Sequence, residues 1–218
     1  MAAGDLTTEI RDITTFREFN LYDKINVILT PDSIQFIKIE AGKNLISHIS
    51  TTVSGETLTI QDKNGCKLLR SGGDIVNVYI ATGQLQKIFY YGSGNISSTD
   101  TLRATNFTID CNAAAGSVDL KLVADTTNAI IRTANADISL TGHGKFVYVY
   151  CQDEGSVNIL PFISNTVYVV SKSLLDMKVN VTDNLTAEIF YKGNVYYKGN
   201  PYQIDSTISN TGKLIHLQ

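Results

Sequence analysis

Apolar and polar residues alternate along much of the chain, as in Ile25-Asn26-Val27-Ile28-Leu29 and Val179-Asn180-Val181. This period of two places successive side chains on opposite faces of a β-strand. No segment of 11 or more residues keeps the apolar stripe of an amphipathic helix free of glycine and β-branched clusters. The pattern therefore predicts a nearly all-β protein.

The alternating segments recur with a repeat of about 20 residues that begins near residue 75. The apolar residue after each small-residue turn recurs at successive gaps of 20, 22, 20, 19, 20, 18 and 19 residues. These positions are Val76, Ile96, Val118, Ile138, Val157, Met177, Val195 and Leu214. A second apolar series, half a repeat away, comprises Ile88, Phe107, Ala129, Val147, Val167 and Ala187.

Two apolar series in step predict a parallel β-helix, or β-solenoid, with coils of about 20 residues. Each coil of a solenoid pairs with the next at about 4.8 Å, so like residues stack into ladders. Parallel connections favour a right-handed solenoid. An antiparallel β-sandwich is the structural alternative, because its turns also come every 8–12 residues. A sandwich does not, however, require two ladders to keep one register over six or seven repeats.

The chain divides into two predicted regions within one continuous structural domain. Residues 1–74 are expected to form an N-terminal β region that leads into the solenoid and caps it. Residues 75–218 are expected to form the repeat-bearing β-helix. The strand pattern lapses over residues 62–74, around Asn64-Gly65-Cys66 and Ser71-Gly72-Gly73-Asp74, and this segment is the predicted boundary.

Composition narrows the classes of partner. The 218 residues are 43% hydrophobic and 18% charged, with a net charge of −3 and a pI near 5.6. These values exclude intrinsic disorder and disfavour nucleic acid as a partner. No apolar run approaches the roughly 18 residues that a transmembrane helix needs.

The three cysteines are expected to be free thiols. Cys66, Cys111 and Cys151 have neither the spacing of a zinc finger nor the density of a disulfide scaffold. In the repeat Cys111 aligns with Thr133 and then with Cys151. The two cysteines therefore lie two coils, or about 9–10 Å, apart, which is too far for a disulfide.

One outward face of the predicted solenoid is rich in aromatic residues. Tyr148, Tyr150, Tyr168 and Phe190 point outward on three successive coils. We expect them to form a contact surface for a saccharide or a protein. Stacked rings that stabilise neighbouring strands, or rings covered by a loop, are the structural alternatives. In the same alignment Asp110, Arg132, Tyr150, Val170 and Phe190 follow one another coil by coil. Asp110 and Arg132 are expected to form a surface ion pair.

The remaining residues show no catalytic, metal or cofactor site. Asp119, Ser139, Asn158, Lys178 and Tyr196 are expected along the other outward face, where one carboxylate and one lysine lie too far apart for acid–base catalysis. His48, His143 and His216 have no metal-ligand spacing. Signatures of phosphate and dinucleotide binding are missing as well. We therefore expect a protein without catalytic residues, bound metal or cofactor.

Several segments resemble one known family. Tyr90-Tyr91-Gly92-Ser93-Gly94-Asn95-Ile96, Gly155-Ser156-Val157 and the ending Lys192-Gly193-Asn194-Val195-Tyr196-Tyr197-Lys198-Gly199-Asn200-Pro201 are similar to the putative auto-transporter adhesins with a head GIN domain, from Bacteroidetes envelopes. The likeness covers roughly residues 10–217. Two corners depart from it, because Asn135-Ala136-Asp137 and Leu174-Leu175-Asp176 replace the expected Gly-Ser-Gly.

The resemblance implies a β-helical domain exported to the periplasm, the outer membrane or the cell surface. Many members follow a signal or lipoprotein peptide, so Met1-Ala2-Ala3 is expected to stand in place of an export segment, and the full-length precursor could carry a lipid anchor. The family supplies no catalytic residues to transfer to this sequence.

The leading hypothesis is a non-catalytic envelope or surface protein, an adhesin that binds a saccharide or a protein partner. A carbohydrate-active enzyme that uses an aspartate-bearing corner is one alternative. A structural or assembly module, whose end coils pair with another chain, is the other.

Overall fold

The computed structural model of the protein describes residues 3–64 and 75–218. It contains 17 strands and one short helix in the described residues. The N-terminal elements are β1 (Leu6–Arg11), β2 (Glu18–Leu21), β3 (Asn26–Thr30), β4 (Phe36–Gly42), α1 (Lys43–Ile46), β5 (Ile49–Ser54) and β6 (Thr57–Asp62). After the undescribed segment come β7 (Asn77–Ala81), β8 (Lys87–Tyr90) and β9 (Ile96–Ser98).

The remaining strands are β10 (Leu102–Cys111), β11 (Ser117–Ile131), β12 (Asp137–Asp153), β13 (Ser156–Ser173), β14 (Met177–Ile189), β15 (Val195–Lys198), β16 (Gln203–Ile208) and β17 (Leu214–His216). Neighbours from β10 onward pair in parallel, about 20 residues apart in sequence. The predicted solenoid is confirmed, with about six turns.

The first predicted ladder is confirmed from Ile96 onward. Ile96 pairs with Val118, and the register continues through Ile138, Val157, Met177 and Val195 to Leu214. All of these side chains except the last are buried. The predicted pairing of Val76 with Ile96 is wrong. Ile96 pairs with Val27, and Val27 pairs on its other side with Val78.

The residues of the second predicted ladder all point inward, as predicted, but three of them do not lie in the predicted register. Ile88 pairs with Ile109, which continues to Ala129, Val149, Val169 and Ala187. Phe107, Val147 and Val167 lie two residues away, although they are equally buried. Positions two apart share a face of a strand, so alternation alone cannot separate them.

The N-terminal strands are threaded into the solenoid out of chain order. β2 lies between β6 and β8, and β3 lies between β7 and β9, all in parallel. The coil formed by β2 and β3 is thus covered on both sides by strands that follow it in sequence. Most of the predicted boundary at residues 62–74 lies outside the described residues.

The two ends of the solenoid differ. At the N-terminal end β1, β4 and β7 pair in antiparallel order, as do β5 and β6. Helix α1 also buries Leu45 and Ile46 there, against the core. At the C-terminal end β16 pairs only with β14 among the described strands, and all six of its residues are exposed.

Glycines occupy corners where successive coils approach closely. A Cβ at Gly116 would overlap the carbonyl oxygen of Gly94 and the hydroxyl of Tyr90. Gly142 has φ +133°, a conformation that side-chain-bearing residues rarely adopt, and a Cβ there would overlap the carbonyl oxygen of Leu122. Small residues at the predicted corners therefore set the spacing of the coils.

Cys111 and Cys151 are buried free thiols, as predicted. They lie two coils apart, and the residue between them is Ile131 rather than the predicted Thr133. Burial raises the pKa of the Cys111 thiol far above its usual range, and raises that of Cys151 to about 12. Cys66 lies outside the described residues.

Candidate binding face

The outward side chains of β10 to β14 form two faces, because each long strand bends and contributes to both. One face contains the four aromatic residues Tyr148, Tyr150, Tyr168 and Phe190 and is called the aromatic face. Tyr148, Tyr150 and Tyr168 are half-buried, and Phe190 is 36% exposed. They belong to β12, β13 and the residue after β14, and thus span three coils.

Tyr148 and Tyr168 form the centre of the aromatic face. They are direct neighbours in the register of β12 and β13, with ring centroids 5.5 Å apart and an angle of 66° between the rings. The Tyr168 hydroxyl donates a hydrogen bond of 2.8 Å to Glu188 Oε1. This bond raises the pKa of Tyr168, since the neutral phenol is the donor.

Phe190 does not lie where the sequence alignment put it. Tyr150 pairs with Val170, which pairs with Glu188, while Phe190 N donates to the carbonyl of Ser171 and so lies beside Lys172. The coil from β13 to β14 is shorter than the average repeat, and this shortening shifts the register. Phe190 is therefore not in the same column as Tyr150.

Lys172 connects Tyr150 with Phe190. Its ammonium nitrogen lies 5.7 Å from the centroid of the Tyr150 ring and 5.6 Å from that of Phe190, both within cation–π range. The Tyr150 hydroxyl donates a 2.8 Å hydrogen bond to Gln152 Oε1. A groove of about 650 Å³ opens beside these residues. Its lining is Asn135, Gln152, Asp153, Glu154, Lys172, Leu174 and Tyr191.

An ion pair borders the aromatic face on the N-terminal side. Arg132 Nε and Nη2 donate to the two carboxylate oxygens of Asp110 at 3.0 and 3.2 Å, so the predicted pair is confirmed. Ile130, and not Arg132, lies opposite Asp110 in the register, and the arginine reaches it diagonally. The hydrogen bond to Asp110 raises the pKa of Arg132 and fixes the guanidinium near Tyr148 and Tyr150.

A second aromatic cluster, which the sequence analysis missed, continues the same outward face toward the N-terminal end. Tyr22 and Tyr91 stack with ring centroids 4.9 Å apart and an angle of only 9° between them. Lys87 Nζ lies 4.2 Å from the centroid of the neighbouring Phe89 ring. The stacking of Tyr22 depends on the out-of-order coil of β2, which no repeat beginning at residue 75 could indicate.

The second outward face carries small and polar side chains and is called the polar face. Asp119, Ser139, Asn158, Lys178 and Tyr196 follow one another in register, as predicted. Within residues 3–64 and 75–218, no cluster of three or more histidine, cysteine or acidic residues could hold a metal ion. Nor is any helix in these ranges long and apolar enough to cross a membrane.

The sequence matches a known protein family. The profile of the family described as putative auto-transporter adhesin, head GIN domain, matches residues 15–201. This range includes all of the aromatic face and the second aromatic cluster. No functionally curated protein matches the sequence.

Solved structures with the same fold come from Bacteroides and Parabacteroides species. A putative adhesin from Bacteroides fragilis superposes with a TM-score of 0.89 at 20% identity, covering 98% of this chain and 97% of that one. A putative adhesin from Parabacteroides merdae gives 0.70 at 17% identity, covering 99% and 97%. A putative lipid binding protein from Parabacteroides distasonis gives 0.64 at 18% identity, covering 99% and 98%. At these identities the likeness establishes the fold alone.

Proposed function

The chain belongs to the head GIN domain family of putative auto-transporter adhesins, and on that premise we propose that it is a non-catalytic adhesin of the cell envelope whose aromatic face binds a saccharide. The observation that carries this proposal is the group of partly exposed rings centred on Tyr148 and Tyr168. It is flanked by hydrogen-bonding side chains that the fold holds in place.

The chemistry of the aromatic face suits a sugar. The negative face of an aromatic ring attracts the slightly positive C–H groups on the flat side of a pyranose. Around the rings, Arg132, Gln152, Lys172 and Glu188 offer donors and acceptors to ring hydroxyls. Their contacts within the protein, such as the bond from Tyr168 to Glu188, hold several of them in one orientation. A pre-organised site loses less conformational entropy on binding.

The placement of the carboxylates at the edges of the rings supports binding rather than turnover. At two edges of the rings, Asp110 binds Arg132 and Glu188 accepts a hydrogen bond from Tyr168. Glycoside hydrolysis needs two carboxyl groups flanking one bond, and these two are separated by the rings and belong to well-separated coils. Binding without catalysis is therefore the function that we propose.

A glycan-array screen of the purified chain tests the proposal. We expect specific binding of one or a few related glycans, and loss of that binding in the double variant Tyr148→Ser/Tyr168→Ser. Circular dichroism and a melting curve of the variant are the control for folding. Binding that persists in the folded double variant would contradict the proposed site.

A blank array would contradict a saccharide ligand. In that case, retention of an envelope protein by the immobilised wild-type chain, and not by the double variant, would assign the aromatic face to a protein partner instead. Hydrolysis of any glycan on the array would contradict the non-catalytic assignment.

A further inference from the structure

The C-terminal end of the solenoid leaves a strand edge and part of the core uncovered. Among the described strands β16 pairs with β14 alone. Ile204 and Ile208 lie in register with the buried Leu185 and Ile189, so their side chains continue the core ladder. Nevertheless, 42% of Ile204 and 46% of Ile208 is exposed. Exposed apolar edges of this kind promote pairing with another strand.

The free edge has its hydrogen-bonding groups in the right place for such pairing. Ser209 N donates to the carbonyl of Ile189, which fixes the alternation of the parallel ladder between β14 and β16. The backbone groups of Asp205 and Thr207 therefore point toward β14. Those of Ile204, Ser206 and Ile208 point toward the open edge.

The sequence of β16 is complementary to itself when one copy runs antiparallel to another. Around Ser206 the inward residues form the palindrome Ile-x-Ser-x-Ile. If Ser206 faces Ser206 of a second copy, each Ile204 faces an Ile208, and apolar side chains meet across the interface. Asp205 then faces Thr207, so no two carboxylates are opposed.

We propose that a second copy of this chain binds at β16, in a two-fold symmetric dimer whose solenoids meet at their C-terminal ends. The two β16 strands pair in antiparallel order about an axis through Ser206. The pairing joins the sheets of the two copies into one. The inward ladder that contains Leu185 and Ile189 then continues through Ile204 and Ile208 of both copies. A two-fold interface of this kind uses the same patch twice and closes after two subunits.

The N-terminal end favours this arrangement over head-to-tail stacking. Its core is closed by α1, where Leu45 and Ile46 are buried. The edge strand β1 also exposes an apolar pair, Leu6 and Ile10, but these residues lie in register with Gly42 and Lys38 on the outward side of the sheet. Among the described residues of that end, no inward apolar pair therefore matches Ile204 and Ile208. A head-to-tail contact would also produce an open series of subunits, whereas the end-to-end contact produces only a dimer.

Sedimentation velocity of the purified chain tests the proposal directly. We expect twice the monomer mass of 23.8 kDa for the wild type. The variant Ile204→Lys/Ile208→Lys should sediment as a monomer, because paired lysines would be opposed across the axis. Gln203→Lys, on the outward side of the same strand, is the control and should remain a dimer. A monomeric wild type, or species larger than a dimer, would overturn the proposal.

Cysteine cross-linking locates the axis. Directly opposed residues in a hydrogen-bonded antiparallel pair have Cα atoms about 5.5 Å apart, within disulfide range. In a Cys66→Ser background, Ser206→Cys should oxidise to a covalent dimer, whereas Ile208→Cys should not, because it faces Ile204. Cross-linking of Ile208→Cys that equals or exceeds that of Ser206→Cys would contradict the proposed register. Neither experiment involves the aromatic face, so failure here is distinct from failure of the proposed function.

Discussion

The aromatic face and the polar face are built largely from the same strands, yet aromatic rings are concentrated on only one of them. β12 presents Ser139 on the polar face and Tyr148 on the aromatic face. β13 presents Asn158 and Tyr168 in the corresponding places. Parallel pairing joins the two strands along both faces, and the inward residues beneath both are buried and mostly apolar, with Ser171 as a buried polar exception.

The comparison shows that the solenoid does not need outward aromatic rings to stack its coils. On the polar face small and charged side chains occupy the same kind of position, and the inward ladder of Ile138, Val157 and Met177 is fully packed. Stability therefore comes from the inward ladders and the parallel hydrogen bonds. The rings on the other face are then available for binding.

Truncation of the inward ladders should have the largest effect, and it should be similar beneath both faces. Leu140 lies beneath the polar face and Ile131 beneath the aromatic face, and both are fully buried. We expect Leu140→Ala and Ile131→Ala each to lower the free energy of unfolding by about 2–5 kcal/mol, through lost burial and a cavity. Urea denaturation measures this change.

The matched control for these truncations is Ser139→Ala, next to Leu140 on the outward side. It should change the free energy of unfolding by no more than about 0.5 kcal/mol. A truncation that is costly beneath one face and harmless beneath the other would show that the two halves of the coil do not share one scaffold.

Alkaline pH should lower the free energy of unfolding by ionising the buried thiols. In the described part of the chain, both thiols lie beneath the aromatic face. The folded-state pKa values of Cys111 and Cys151 are raised by burial, so the folded protein keeps protons that the unfolded chain releases. The contribution of the protonated thiols is complete below the ordinary thiol pKa and is lost as pH rises. Between about pH 9 and 11 the free energy of unfolding should fall by roughly 1.4 kcal/mol per pH unit per thiol.

Urea titrations at several pH values test this slope. In Cys111→Ala/Cys151→Ala the fall over the same pH range should be shallower, whatever the stability at neutral pH. An unchanged slope in the double variant would mean that other groups cause the alkaline loss.

Replacement of the central rings should have a smaller effect on stability than either truncation. Tyr148→Ser/Tyr168→Ser removes outward groups, so we expect the melting temperature to fall by no more than about 4 °C. Calorimetry measures the shift. A collapse comparable to that of Leu140→Ala would instead support rings whose role is to stabilise neighbouring strands.

The smallest expected effect is on the titration of one phenol. The hydrogen bond to Glu188 raises the pKa of Tyr168, so Glu188→Gln should move this pKa down toward the ordinary tyrosine value. Ultraviolet difference titration against the Tyr168→Phe variant isolates the transition. An unchanged titration would show that the bond does not hold Tyr168 in solution.

Much of the architecture could be predicted from the sequence, because a repeat of about 20 residues leaves the same pattern in every coil. The ladder from Ile96 to Leu214 follows directly from it. The position of β2 between β6 and β8 could not be predicted. The alternation of apolar and polar residues shows that these segments are strands, but it does not show which strands pair. The two-residue errors at Phe107 and Val147 arise because residues i and i+2 share a face.

The sequence predicts which four aromatic residues point outward, but not how all four lie relative to one another. Alternation places Tyr148 and Tyr168 outward, and the contact between them follows from the repeat. The position of Phe190 depends on the shortened coil before β14, and that of Tyr22 depends on the out-of-order coil. Corner lengths and long-range strand order, rather than local pattern, decide both.

Comparison of glycan affinity between variants of the two faces tests the central claim most directly. Calorimetry with the glycan selected on the array would compare the wild type, Tyr148→Ser/Tyr168→Ser and Ser139→Ala/Asn158→Ala. We predict at least a roughly 30-fold loss of affinity for the first variant, as for hot-spot residues, and less than about a twofold change for the second. Equal losses in both variants, or no loss in the first, would contradict the assignment of binding to the aromatic face.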